Sequence, residues 1–276
     1  MSIWDCHVHM RGGETADEIL QGMDAAGITR ICLFARYPGR DIEGYGPPPT
    51  EAYGPAIEEV AAIQAVDPDR IFGLFWPDPR SEGILDLVEH ALVDKGLRGI
   101  KMIPNHWSPC DEQLFPLYEK MAAIGKPIQF HSGILYGFGD SSRCCQPVLY
   151  EALVNFPKVR FSLAHISWPW VDECIAVFGR FRAAVRYQTA DCQMWIDTCR
   201  GTPDAWRLEA LRKAVPFCTT KRLMYGTDCT AGDIGGNAPW HIRKDTDLLV
   251  NEMGLSEQQV QEFFWGAAEG FYSAGR

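Results

Sequence analysis

The chain lacks the features that mark nucleic-acid-binding and membrane proteins. Lys and Arg number 26 against 36 Asp and Glu, and no run rich in Lys and Arg occurs. The net charge of −10 argues against a nucleic-acid surface. No apolar stretch approaches the roughly 20 residues that cross a bilayer. The first predicted strand begins at Ile3, which leaves no room for a signal peptide. We therefore expect a cytoplasmic protein that binds neither nucleic acid nor membranes.

The ten cysteines lack the spacing of a metal site or of a disulfide framework. No Cys-x-x-Cys pair occurs, and Cys144 and Cys145 are adjacent. In a cytosolic chain such cysteines are mostly buried, reduced thiols. We therefore expect free thiols.

Short apolar runs alternate with amphipathic stretches along all 276 residues. Strands separated by helices form a parallel sheet with right-handed crossovers. Eight such units predict a single-domain α/β protein, a (β/α)8 TIM barrel that spans residues 1–276. An open doubly wound sheet is the alternative, but it would need a glycine-rich phosphate-binding loop, and none follows a strand.

The predicted strands are Ile3–His9, Arg30–Phe34, Ile71–Phe75, Gly99–Ile103, Pro127–His131, Arg160–His165, Cys192–Asp197 and Leu223–Asp228. The predicted helices are Ala16–Ala26, Tyr53–Asp67, Ile84–Lys95, Gln113–Ile124, Val148–Asn155, Val171–Phe178, Pro203–Val215, Asp245–Met253 and Ser256–Tyr272.

The long irregular segments all follow strands. They are Tyr37–Thr50, Pro104–Pro109, Ser132–Arg143 and Thr230–Asn237. Connections from strand to helix gather on one face of a barrel, and active sites of barrels lie on that face. The sequence therefore predicts the site at the carboxyl ends of the strands.

Four histidines and one aspartate fall at or near the ends of four predicted strands. His7 and His9 are two residues apart on the first strand, so both point to the same face. His131, His165 and Asp228 end the fifth, sixth and eighth strands. Several ionisable groups are costly to bury without a partner, and one metal ion supplies a partner for all of them. The pattern therefore indicates a metal site.

These residues resemble the motifs of the amidohydrolase superfamily. The resemblance rests on Asp5-x-His7-x-His9, Phe130-His131, Ala164-His165 and Gly226-Thr227-Asp228, and it extends to the closing segment that runs from Leu255 to Ala268. The pattern is closest to the branch often called amidohydrolase family 2. That branch contains metal-dependent hydrolases and decarboxylases of the aminocarboxymuconate semialdehyde type. In that branch a small, Gly-rich segment commonly follows the sixth-strand histidine, whereas this chain has Ser167-Trp168-Pro169-Trp170. The bulky tryptophans would narrow the pocket.

The resemblance implies one divalent metal ion held by His7, His9, His131 and Asp228. It implies a catalytic role for His165, and Asp228 could take a proton from a metal-bound water. Imidazole and carboxylate ligands suit Zn²⁺, with Mn²⁺ or another transition ion as alternatives. A water in the open position would have its pKa lowered to about 7.

Lys101, near the end of the fourth strand, raises the question of a second metal. In binuclear relatives a lysine of this strand is carboxylated and bridges two ions. Met102-Ile103-Pro104 follows Lys101 and suggests that it sits below the mouth, so we expect a single metal. A plain lysine that balances Asp5 or another buried carboxylate is the alternative.

Further residues after the strands are candidates for contacts with a small-molecule substrate. Arg36 follows the second strand and could bind a substrate carboxylate, and Arg11 could do the same. The predicted substrate-binding set is Arg11, Arg36, Lys101, His106, Trp107, Tyr136 and Trp168. The nine tryptophans could equally contribute to a subunit interface, which leaves a homodimer open.

Two reactions use the same predicted site. The leading prediction is hydrolysis of a small amide, ester or lactone, in which Asp228 takes a proton and His165 assists. The second is non-oxidative decarboxylation of an aromatic or enol acid, which the two arginines favour. A catalytically silent barrel and a metal-free lactonase complete the alternatives.

Overall fold

The computed structural model describes residues 1–39, 46–136, 141–188 and 193–273. Its strands are β1 (Trp4–His9), β2 (Arg30–Phe34), β3 (Ile71–Phe75), β4 (Gly99–Met102), β5 (Ile128–Phe130), β6 (Phe161–Leu163), β7 (Met194–Asp197), β8 (Leu223–Met224) and β9 (Cys229–Thr230). Its α-helices are α1 (Ala16–Ala26), α2 (Tyr53–Val66), α3 (Ile84–Glu89), α4 (Phe115–Ile124), α5 (Ser141–Cys144), α6 (Val171–Gln188), α7 (Asp204–Cys218), α8 (Ile234–Asp247), α9 (Glu257–Gln261) and α10 (Ala267–Ser273). Cys192, at the start of the predicted seventh strand, and parts of two predicted loops lie outside the described residues.

The strands form one curled parallel sheet in the order β8-β7-β6-β5-β4-β3-β2-β1-β9. From β1 to β8 each strand pairs with the next in sequence, and β9 pairs with β1 rather than with β8. Between β8 and β9 the backbone also binds β1, because Cys6 N–H donates to the Tyr225 carbonyl and Asp228 N–H donates to the His7 carbonyl, both at 2.9 Å. These bonds close the TIM barrel, as the sequence predicts.

The eighth predicted strand is interrupted where it meets β1. The register of β1 with β2 shifts between Asp5 and Val8, so part of the regular ladder is lost. The Asp5 carboxylate accepts the backbone N–H of His7 at 3.0 Å and, from the segment between β8 and β9, that of Thr227 at 2.9 Å. The Thr227 hydroxyl donates to the same carboxylate at 2.5 Å. Asp5 therefore holds the seam of the barrel, and Thr227 rather than Lys101 is its bonded partner.

An aromatic cluster closes the amino-terminal end of the barrel. Trp4 of β1 stacks on Tyr272 of α10 with ring centroids 5.4 Å apart. The Tyr272 hydroxyl donates to the Gln129 side chain at 2.6 Å. Phe72 and Trp195 belong to the same buried group. Because α10 covers this end, the polar groups at the opposite, carboxyl ends of the strands face the open mouth.

The predicted helix Val148–Asn155 is a 3-10 helix, Pro147–Asn155. Two further differences from the predicted helices involve glycine. The predicted helix Val171–Phe178 stops before Gly179, whereas α6 continues to Gln188. A side chain at Gly179 would contact the ring of Phe217, so glycine permits a close approach of α6 and α7. The predicted loop Thr230–Asn237 is largely the start of α8, where Gly235 lies against Gly22 of α1.

The nine described cysteines are free, and most are buried, as predicted. No helix among the described residues is both long enough and apolar enough to span a bilayer. The cytoplasmic location and the single-domain assignment of residues 1–276 stay predictions.

Candidate metal centre

Three of the five predicted polar residues converge at the mouth of the barrel. His7 and His9 end β1, and Asp228 lies between β8 and β9. His7 Nε2 is 3.1 Å from His9 Nε2, and Asp228 Oδ1 is 3.4 Å from the first and 3.3 Å from the second. His7 is buried, whereas the His9 and Asp228 side chains are 24% and 31% exposed. The triangle of donor atoms is therefore open on one side.

The size of this triangle fits a divalent ion. Ligands of a tetrahedral Zn²⁺ at bond lengths of about 2.0–2.1 Å lie about 3.3 Å apart. Adjacent ligands of an octahedral ion at about 2.1 Å lie about 3.0 Å apart. The three edges of the triangle fall in this range, and two imidazoles with one carboxylate suit a transition ion. The geometry does not choose between Zn²⁺ and Mn²⁺.

Asp228 keeps its charge in this setting. Burial would raise the pKa of the carboxyl, but the His7 and His9 imidazoles outweigh burial and lower the pKa below its usual value. The backbone of Asp228 is left-handed at φ 62°, a conformation that aspartate tolerates better than most residues. The sharp turn places its carboxylate beside the two imidazoles.

Asp197, at the end of β7, fixes the orientation of His7. Its Oδ2 lies 2.5 Å from His7 Nδ1, and both side chains are buried. His7 therefore carries its proton on Nδ1 and turns the lone pair of Nε2 towards the triangle. A carboxylate behind a ligating histidine sets the tautomer and raises the basicity of the ring. The sequence analysis missed this role, although Asp197 is the last residue of a predicted strand.

Cys199 is a second residue that the sequence analysis missed. Its Sγ lies 3.0 Å from His7 Nδ1 and 3.0 Å from His165 Nδ1. Its backbone N–H donates to Asp197 Oδ1 at 2.9 Å. Burial raises the pKa of the Cys199 thiol well above its usual value, so the group is a neutral S–H. The spacing of the cysteines carries no signal for this position, because its partners come from other strands.

His165 and His131 form a hydrogen-bonded pair beside the triangle. Gly201 N–H donates to His165 Nδ1 at 2.9 Å, so the proton of the neutral ring is on Nε2. His165 Nε2 lies 3.1 Å from His131 Nδ1, and His131 Nε2 lies 3.3 Å from the Gly133 carbonyl. Burial lowers the pKa of His165 to about 4 and that of His131 well below its usual value. Both rings are therefore neutral at physiological pH.

The predicted ligand His131 is thus not part of the three-atom triangle in this conformation. Its Nδ1 would have to exchange the hydrogen bond from His165 for the metal. Its role as a ligand stays a prediction.

Lys101 of β4 lies at the base of the triangle. Its Nζ is 3.4 Å from His7 Nε2 and 4.7 Å from the centre of the Phe34 ring. The side chain is fully buried. Burial lowers the pKa of the amine, although Cys199, Asp197 and Asp228 oppose this effect. The residue therefore lies beside the triangle and below the mouth.

The predicted substrate-binding residues are distributed unevenly. Arg11 is exposed after β1, and Tyr136 is 68% exposed. Arg36 is about a third exposed and its Nε lies 2.9 Å from Glu59. His106 is partly buried, with a left-handed backbone at φ 60°.

Two predicted pocket walls lie elsewhere. Trp107 is 3% exposed and belongs to the apolar core, because its ring turns inward from the loop after β4. The Trp168 ring packs on Trp206 of α7 at 5.6 Å, in a cavity between α6 and α7. An aromatic residue closer to the triangle is Trp76, whose ring centroid is 6.0 Å from that of His9.

Comparisons with known proteins place this arrangement in context. The amidohydrolase family model, Amidohydro_2, matches residues 4–273. No curated protein matches the chain.

Among solved structures, the chain is similar to 2,6-dihydroxybenzoate decarboxylase from Rhizobium, at 14% identity over 99% of each chain and a TM-score of 0.69. It is also similar to 5-carboxyvanillate decarboxylase from Novosphingobium aromaticivorans complexed with manganese, at 15% identity over 99% of this chain and 96% of that one and a TM-score of 0.68. The 4-oxalomesaconate hydratase from Rhodopseudomonas palustris matches at 16% identity over 98% and 95% and a TM-score of 0.64. At these identities the likeness to solved structures establishes a shared fold.

Proposed function

Because the chain belongs to the amidohydrolase family, we propose that it is a metal-dependent decarboxylase that removes CO2 without oxidation from a small aromatic or enol acid. Hydrolysis, the leading prediction from the sequence, would use the same ligands. Decarboxylation is the better supported of the two, since similar solved structures that cover nearly the whole chain are decarboxylases, one with manganese.

The observation that carries the metal dependence is the triangle of His7 Nε2, His9 Nε2 and Asp228 Oδ1, with edges of 3.1–3.4 Å. These three residues, with His131 as a fourth, would hold one divalent ion, either Zn²⁺ or Mn²⁺. When bound, the ion would hold an oxygen of the substrate and stabilise the negative charge that develops on it. Asp197 keeps His7 in the tautomer that ligation needs.

The charges around the triangle suit an acidic substrate. The Lys101 amine lies 3.4 Å from His7 Nε2, inside the barrel. Arg36 and Arg11 follow the strands that border the mouth. A guanidinium can bind a carboxylate through two parallel hydrogen bonds. Arg36 would exchange Glu59 for the substrate carboxylate.

Asp228 is the proposed carrier of the proton. As a partly exposed carboxylate it can accept the proton of the phenol or enol hydroxyl of the substrate, whose carboxyl is already ionised, and return it to the carbon that loses CO2. The pair of electrons from the broken carbon–carbon bond stays on that carbon and forms the new C–H bond. His165, neutral with its proton on Nε2, would donate a hydrogen bond to the developing oxyanion in place of its bond to His131.

The test separates the two reactions by their products. Protein loaded with Mn²⁺ or Zn²⁺ is incubated with 2,6-dihydroxybenzoate and 5-carboxyvanillate labelled with ¹³C at the carboxyl group, and with amide, ester and lactone substrates in H2¹⁸O. We expect release of ¹³CO2 from at least one acid. Incorporation of ¹⁸O into products without release of CO2 would establish hydrolysis instead.

The Asp228→Asn and His165→Ala variants are the matched controls. His165→Ala should keep the metal and lose most of its turnover. If metal analysis finds no ion bound by the parent and none taken up on titration, a silent barrel or a metal-free lactonase becomes the better explanation.

A further inference from the structure

A cavity lies on the outer ring of the barrel, and none of the three triangle residues lines it. Its volume is about 360 Å³. The loop that follows β6 forms one wall, and the first turn of α6 and the first three turns of α7 form the others. Cavities that bind small molecules have volumes of about 300–1,000 Å³. The space is therefore large enough for a small organic ligand.

A contacting pair of indole rings forms part of the apolar lining of this cavity, with Pro169, Trp170, Val171 and Ala210. The Trp168 and Trp206 rings are in contact with each other, with centroids 5.6 Å apart and planes tilted by 34°. Trp206 is half exposed, so its ring is accessible to a ligand. The faces of indole rings carry partial negative charge and attract cations, most strongly of all aromatic side chains. The rings alone thus favour a cationic ligand with an apolar surface.

The charged residues that line the cavity also favour a cationic ligand. Three carboxylates, those of Asp172, Glu173 and Glu209, line it with a single ammonium group, that of Lys213. Lys213 Nζ lies 3.1 Å from both Asp172 and Glu209 at the rim. Two negative charges in excess remain, and an anionic ligand would be repelled by them.

The Trp168 wall is held in place before any ligand binds. The Trp168 carbonyl accepts the N–H of Ile134 at 2.9 Å, and Gly133 leaves no room for a side chain against the same peptide. A wall that is already ordered loses little conformational entropy on binding. The wall at Trp168 is therefore ordered without a ligand, whereas the Trp206 side chain is half exposed.

We propose that this cavity binds a small organic cation, an ammonium ion with apolar substituents, against the accessible faces of the Trp168 and Trp206 indole pair. The charge is balanced by the carboxylates of Asp172, Glu173 and Glu209. This site is separate from the metal centre, and its occupancy does not depend on the reaction proposed above.

The test is a titration followed by nuclear magnetic resonance. Full-length protein labelled with ¹⁵N-tryptophan is titrated with tetramethylammonium chloride, at an ionic strength held constant with sodium chloride. The indole N–H signals of Trp168 and Trp206, assigned by substitution, should shift and saturate. The same titration with tert-butanol, a neutral molecule of nearly the same shape, should bind far more weakly.

Three variants make the result decisive. Trp206→Leu should weaken binding about fivefold through loss of the cation–π contact. Lys213→Met should strengthen it, because the competing resident cation is removed. Trp240→Leu, a substitution of another partly exposed tryptophan on α8, should leave it unchanged.

The proposal is overturned if tetramethylammonium produces no saturable shift. It is equally overturned if tert-butanol binds as well, if Lys213→Met weakens binding, or if Trp206→Leu has no effect while the variant is folded by circular dichroism.

Discussion

Polar neighbours fix the orientation and the tautomer of the two imidazoles, His7 and His165, at the barrel mouth. Asp197 turns His7, and the N–H of Gly201 sets the proton of His165 on Nε2. Cys199 fills the space between the two imidazoles. Such neighbours commonly matter to metal affinity nearly as much as the ligands themselves.

We expect Asp197→Asn to weaken metal binding about 10- to 100-fold, because an amide is a poorer acceptor for the His7 Nδ1 proton. Competition with a chelator of known affinity measures the change. Asp233→Asn, an exposed aspartate of the same rim that bonds Thr230, serves as the control. Equal affinity of the Asp197 variant and the parent would remove Asp197 from the support of the metal.

At the scale of elements, the loops after the strands position the chemistry. The loop after β6 has three consecutive left-handed residues, His165, Ile166 and Ser167, at φ 62°, 49° and 54°. A β-branched residue such as Ile166 is rarely found there, and each such residue costs roughly 1–3 kcal/mol. The surrounding contacts must hold this turn, and one of them comes from the loop after β7, at Gly201.

Gly201→Ala tests the contact between these two loops. A Cβ at Gly201 would overlap the ring of His165, so the ring must move. A displacement of about 1 Å can reduce turnover about a hundredfold. We expect that loss in kcat with an unchanged metal content. Gly232→Ala, where a Cβ meets open space, is the matched control. Normal turnover in the Gly201 variant would exclude a catalytic role for the position of His165.

At the scale of the whole molecule, one buried ion pair joins the last part of the barrel. Arg207 of α7 and Asp245 of α8 are both fully buried and form two hydrogen bonds of 2.6 Å. Arg207 also donates to the Thr198 carbonyl at 2.7 Å, next to Asp197. The pair therefore connects the outer helices to the strand end that supports His7.

We expect Arg207→Met to lower the free energy of unfolding by about 3–5 kcal/mol, because Asp245 is left as a buried charge without its main partner. Urea unfolding measures the loss. The double variant Arg207→Met/Asp245→Leu should recover part of it, since neither charge of this pair then remains. Arg200, which also bonds Asp245 at 3.1 Å, keeps its bond to Asp204. A double variant as unstable as the single one would show that packing, rather than charge, sets the cost.

The pH dependence of stability should report on Asp5. Burial raises the pKa of this carboxyl to about 7, although hydrogen bonds from Thr227 and His7 lower it in part. The folded protein therefore holds a proton that the unfolded chain releases above about pH 3.8. The contribution of Asp5 to the free energy of unfolding is complete below about pH 3.8 and is lost as the pH rises to about 7. The total loss is at most about 4 kcal/mol.

Urea unfolding of chelator-treated protein between pH 4.5 and 8 would measure this slope. Asp5→Asn should flatten it, because the amide does not titrate. An identical slope in parent and variant would mean that Asp5 is ionised in the folded protein throughout this range.

The sequence alone predicts much of the architecture. The bounds of β2, β3 and α1 agree with the prediction residue by residue. These elements have strong local signals: β-branched or apolar runs for the strands, and for α1 the capping box from Thr15 to Glu18. Prediction was wrong where glycine allows two helices to approach, as at Gly179 and Gly235, because that role depends on the opposite helix.

The sequence by itself determined the barrel, the face of the site and the residue types of the metal centre, because periodicity and strand ends are local properties of the chain. Only the tertiary structure decided which donor atoms meet. It joined His7, His9 and Asp228, paired His131 with His165, and added Asp197 and Cys199 from β7 and its loop. It also packed Trp168 against Trp206 of α7. Such contacts depend on side-chain directions set by packing between distant strands, which no local pattern records.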